Sequence, residues 1–101
     1  MKQGTMFDSP LINRVFLVHP HQRLLRHAAY ELKLSAGATR FISDTRHVHG
    51  LSSIPNQLII AIDTDISHIA MNYGPNDREF LAFFEEYTRS RCIPVLRYQL
   101  S

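Results

Sequence analysis

Residues Arg14 to Arg23, RVFLVHPHQR, join an unbroken apolar run to a polar turn and then to the start of a helical pattern. The run Arg14 to Val18 is β-branched and aromatic with no polar alternation. That is the signature of a strand covered on both faces, and so of a parallel sheet. In many α/β proteins the turn after such a first strand is a glycine-rich cradle for phosphate. Here the turn holds two histidines, a proline and an arginine, and the question is what that chemistry serves.

From His21 onward the period changes. Leu25, Ala28, Ala29 and Leu32 recur at i, i+3, i+4 and i+7, while Arg23, Arg26, His27 and Lys33 fall largely on the other faces, which predicts an amphipathic helix. Pro20 suits its first turn and Gly37 suits its left-handed end. Thr39 to Ser43 (TRFIS) reads as a short second strand, and 44–57 as a polar loop long enough to carry a site. Leu58 to Ile62 (LIIAI) reads as the central strand. Residues 64–76 hold a possible helical turn, DISHIAM, and then the breaker Asn72-Tyr73-Gly74-Pro75.

Asn76 with Glu79 reads as a capping box for a second long helix, whose stripe is Phe80, Phe83, Phe84 and Tyr87. Pro94 to Leu100 alternates as a final edge strand. The order β-α-β-β-α-β predicts an α/β fold, a small three-layer sandwich with two main helices on a mainly parallel four-stranded sheet. Right-handed crossovers put the first strand between the second and third. Residues 1–12 read as an N-terminal arm and 13–101 as a single domain.

Bulk properties narrow the class. A chain of 101 residues is one domain by length, able to bury roughly two-thirds of its unfolded surface. With 45% hydrophobic and 20% charged residues, it lies outside the disordered and fibrous compositions. The net charge of +2 permits contact with nucleic acid, but no clustered basic stripe is evident in the sequence. Nine of the eleven cations are arginine, which suits planar contacts to phosphate or carboxylate. Cys92 is the sole cysteine, so an intrachain disulfide and a cysteine-rich zinc site are excluded. It reads as a buried packing residue. No apolar run is long enough to span a membrane and no secretory leader is visible, so the expectation is a cytoplasmic protein.

The stretch HAAYELKLSAGATRFISDTRHVHGLSSIPNQLIIAID resembles a pattern seen in small phage-encoded α/β proteins: a helix ending in ELxLS, a strand, a loop of the xLxGL type, then an apolar strand. From Arg14 to Asp63 the chain is also similar to a P-loop NTPase core from which the cradle has been removed. The resemblance implies an NTPase-like topology and a phage or mobile-element origin, and it carries no settled activity. A Walker A loop needs GxxxxGK[ST], in which backbone N–H groups and a lysine hold the phosphates. This chain has HPHQRLLR at that point, with neither glycine nor lysine. Asp63 after LIIAI resembles a Walker B carboxylate.

In an open parallel sheet, ligands bind outside the carboxyl ends of the strands. His19, His21 and Arg23 follow the first strand, and Asp44, Arg46, His47 and His49 follow the second. Asp63, Asp65 and His68 follow the third. Five of the six histidines are thus expected on one rim. Imidazole and carboxylate groups there could ligate a metal, with the pairs 19/21 and 47/49 each contributing. Alternatively they could meet a phosphate with Arg23 and Arg46 at the helix N-terminus. For each loop histidine singly, solvation or backbone capping is the plainer account.

Catalytic arrangements are thin. Ser43, Ser52 and Ser53 lack a nucleophile-elbow context, and Glu85 and Glu86 read as a solvated helix face. The reading that results is a non-enzymatic interaction protein, self-associating and engaging a host protein. The alternative is a nucleotide- or metal-binding, phosphate-handling protein that uses the His/Asp-rich rim. Nucleic acid is the weaker option and a membrane is not expected.

Overall fold

A computed structural model describes residues 14–52, 57–63 and 73–100. Its elements are β1 (Arg14–Val18), α1 (Gln22–Glu31), β2 (Thr39–Ile42), α2 (Thr45–Val48), β3 (Gln57–Asp63), α3 (Pro75–Ser90) and β4 (Leu96–Gln99). The four strands form one parallel sheet in the order β2-β1-β3-β4, with β1 between β2 and β3 as the crossover rule requires. The arm at 1–12 and the possible helical turn before Asn72 lie outside the described residues.

Alternation along β1 divides the core in two. Val15 and Leu17 face α1 and pack with Leu25, Ala28, Ile60 and Ile62. Val18 faces the other way and packs with Ile42, Val48, Leu51, Phe80, Phe84 and Tyr87, so α2 and α3 cover the opposite face. Helices on both faces explain why the strands read as continuous apolar runs. Leu17 and Ile60, paired across β1 and β3, are fully buried at the centre.

The end of α1 and the place of Cys92 after α3 differ from the sequence expectation. The left-handed residue after α1 is Lys33, at φ 55°, not Gly37, and no described glycine has positive φ. Leu34 N–H donates to the Ala29 carbonyl at 3.0 Å and Lys33 N–H to that of Tyr30 at 3.2 Å, a Schellman closure. After α3, Cys92 takes the same place at φ 53°, with Ile93 N–H donating to Thr88 at 2.9 Å. Cys92 is therefore exposed rather than buried, and Ile93 is the residue that enters the core. In both closures an apolar residue just past the left-handed position is packed inward. Local backbone strain is traded for that burial.

Pro20 lies outside α1, whose N-cap is His21. The start of α3 is also shifted: Gly74 is its N-cap, Pro75 opens the first turn, and Asp77, not Glu79, reaches back to accept the Gly74 N–H at 3.0 Å. The loop from Asp44 is less polar in its packing than in its composition. Asp44 caps the short helix α2, and Val48 and Leu51 are buried. Tyr87 of α3 donates its hydroxyl to the His49 carbonyl at 3.0 Å, tying that loop down.

Candidate functional site

β1 delivers His19 to the carboxyl end of the sheet, where its ring is completely buried. Its Nδ1 accepts the His21 backbone N–H at 2.9 Å. The neutral ring therefore carries its proton on Nε2, which donates to the Tyr73 hydroxyl at 2.8 Å. Burial, reinforced by the neighbouring His21, pulls the His19 pKa down from 6.5 to about 4, against weaker opposition from Asp77.

His21 turns its Nε2 to Asp77 Oδ2 at 2.8 Å, and the same oxygen holds the Gly74 N–H. Burial pushes the Asp77 carboxyl upward, but the Gly74 and His21 hydrogen bonds and the two imidazoles outweigh it and hold the group below the usual carboxylate range. The rings of His19, His21 and Tyr73 lie 5.3–5.8 Å apart, centroid to centroid. Together they form a clamp that joins the β1–α1 turn to the segment entering α3.

Beside the clamp is an open cleft of about 280 Å³, walled by Pro20, by Ser43, Asp44 and Thr45 after β2, and by Asn76, Asp77, Glu79 and Phe80 at the start of α3. Gln22 Nε2 donates to Ser43 Oγ at 3.4 Å, bridging the turn and the β2 end. Three carboxylates on this wall oppose an anion. They outnumber the favourable end of one helix dipole.

The expected rim residues do not share one site. His19 and His21 meet, and Asp44 lies on the cleft wall, but its Oδ1 is engaged by the backbone N–H of Arg46 at 2.8 Å and by Arg46 Nε at 3.2 Å. Those two bonds and the guanidinium hold Asp44 below its ordinary pKa. Arg23 is exposed in the first turn of α1, and His47 is exposed on α2. His49 packs instead at a tilt against Phe83 and edge-on to Tyr87, at 5.1 and 5.6 Å between centroids, further along α3 than the clamp. Asp63 Oδ1 is 3.8 Å from Arg97, which also binds Glu85, so a Walker-B-like carboxylate there is already occupied by a cation. Asp65 and His68 lie outside the described residues.

Tyr73 and Asp77 are the partners that sequence reasoning missed. The signal for Asp77 was present as Gly-Pro followed by an acid two residues on, the pattern of a proline-started helix with a carboxylate in its first turn. Among the described residues no three His, Cys, Asp or Glu side chains converge as a metal-binding group. Both ring nitrogens of His19 already have partners, which leaves the 19/21 pair poorly disposed to ligate. Among the described residues no helix is long and apolar enough to cross a membrane. Comparison with protein families, with curated proteins and with solved structures returns no match.

Proposed function

We propose that this chain is a non-enzymatic α/β interaction protein that acts by occupying a partner's surface. The carrying observation is the buried His19 ring at the end of β1, with one nitrogen on the His21 backbone and the other on Tyr73. In a doubly wound sheet that position is where a loop's backbone N–H groups would face a phosphate. Here an imidazole has taken a backbone N–H for itself. The neighbouring cleft, with Asp44, Asp77 and Glu79 on its wall, disfavours a phosphate at the next position as well.

The NTPase-like topology then serves as a rigid scaffold whose outer surfaces do the binding. The resemblance to small phage-encoded proteins makes a host protein the natural partner within this reading. The test is a thermal-shift panel of inorganic phosphate, ADP and ATP with and without magnesium, run beside size-exclusion chromatography of the protein with extract from a candidate host. Unchanged melting with all anions and a saturable complex of fixed stoichiometry support the reading. A nucleotide-dependent rise of several degrees, without any complex, overturns it in favour of phosphate handling.

A further inference from the structure

The outward face of α1 carries a line of side chains that do not enter the core. Arg23, Arg26, His27 and Tyr30 stand at i, i+3, i+4 and i+7, directly opposite Leu25 and Ala28, which enter the core. All four are exposed, and Tyr30 is 83% exposed, more than any other large apolar residue among those described. The sequence disperses these cations along the chain, and only helical periodicity lines them up. The sole acid of α1, Glu31, accepts the Tyr98 hydroxyl from β4 at 2.6 Å and pairs with the His27 ring of this line at 2.9 Å, so the positive charge of the face rests on Arg23 and Arg26.

The first turn of α1 has no acidic residue. The positive end of the helix dipole therefore adds to the field of Arg23 and Arg26 instead of being offset by it. We infer that this face is a docking surface for an acidic protein segment. Guanidinium groups one helical turn apart match carboxylates bidentately, and an exposed tyrosine at the end of the line supplies the amphipathic anchor common at interface centres.

Charge placement around the face favours a protein over a nucleic acid. The line is about 11 Å long and holds two permanent cations, whereas phosphate polymers gain affinity from an extended track of contacts. Beyond the N-terminal end of α1 any such track meets Asp44, Asp77 and Glu79 on the cleft wall. A short acidic segment laid along α1 stops before them.

This inference rests on the interaction-protein reading, yet it fails by a different observation. The experiment is fluorescence anisotropy with a labelled twelve-residue peptide of glutamate, alanine and one leucine, at low and at 0.5 M salt, compared with a labelled dT12 oligonucleotide. The proteins are the full chain, Arg26→Glu, the double variant Arg23→Glu/Arg26→Glu, Tyr30→Ala and, as a control on α3, Arg89→Glu. Circular dichroism checks that each is folded. Expected are salt-sensitive peptide binding, at least tenfold weaker in the double variant, about threefold weaker in Tyr30→Ala and unchanged in Arg89→Glu, with dT12 bound more weakly than the peptide. Absent peptide binding, or binding indifferent to the α1 substitutions, overturns the inference. So does tighter binding of dT12, or self-association of the protein abolished by the same arginine changes. None of these outcomes depends on whether phosphate or nucleotide alters the melting temperature.

Discussion

A buried imidazole with both nitrogens engaged is a pH-sensitive part. His19 accepts a backbone N–H at Nδ1, so protonation removes that bond as well as placing a charge in an apolar site. Its pKa of about 4 in the fold, against the ordinary 6.5 of an imidazole in the unfolded chain, corresponds to about 3 kcal/mol. Because the folded value is the lower one, this contribution is fully present above pH 6.5. It declines as pH falls toward 4 and levels off below that. Urea unfolding between pH 8 and 3.5 is expected to show this decline in the native protein. His19→Asn, which keeps an acceptor near the Nδ1 position but cannot titrate there, is expected to flatten it. An unchanged slope in the variant contradicts the assignment. Asp77, held low in the fold, adds its own loss only below about pH 3.8. Asp77→Ala removes the acceptor for Gly74 N–H and His21, and is expected to cost about 1–2 kcal/mol at pH 7 by the same measurement.

At the scale of elements, the two Schellman closures make a prediction opposite to ordinary loop intuition. Lys33 and Cys92 hold left-handed backbone without being glycine. Lys33→Gly and Cys92→Gly are each expected to stabilise by about 0.5–1 kcal/mol in thermal or urea unfolding, since both remove a Cβ that the conformation resists. Gly37 is the contrasting case. Its φ is not positive and an added Cβ would meet only Ser35 Oγ at 3.8 Å, so Gly37→Ala is expected to be neutral or slightly stabilising.

These sites also mark what could be read from the chain. The order of the strands and the two long helices, the parallel sheet and the central place of β1 and β3 were legible, because RVFLV and LIIAI lack polar alternation and the two helices carry 3.6-residue stripes; the short α2, in what read as a loop, was not. Helix ends were not. Glycine is the usual occupant of a left-handed end, and Gly37 drew the expectation, whereas the chain accepts strain at Lys33 to bury Leu34. The site was half legible for the same reason. His19 and His21 stood out as residues, but their partners Tyr73 and Asp77 lie 54 and 56 positions away. That pairing is set by tertiary packing of α3 and not by any local pattern.

At the scale of the molecule, the sheet is a partition between two cores, and the side chains that fill them explain both its stability and its closed rim. Phe84, almost wholly buried on the α3 side, is expected to cost about 3–5 kcal/mol when replaced by alanine, read out by urea unfolding. Tyr30→Ala on the outer face of α1 is expected to change stability by less than about 0.5 kcal/mol. The contrast separates a residue that holds the fold from one that does not. Leu17 is paired with Ile60 at the centre, and His19, two residues further along the same chain, is equally buried, so the core continues outward to the end of β1. His19 at the carboxyl end of β1 is thereby packed as interior, beside the open cleft.

The central claim is that the β1–α1 turn is closed by a neutral, fully hydrogen-bonded His19. Imidazole ¹⁵N spectra of the folded protein, recorded from pH 8 to 4 with and without millimolar inorganic phosphate, test it directly. The expected spectra show His19 with an unprotonated Nδ1 and a protonated Nε2, no titration until near pH 4, and no response to phosphate. A His19 signal that titrates near pH 6.5, or that moves when phosphate is added, contradicts it.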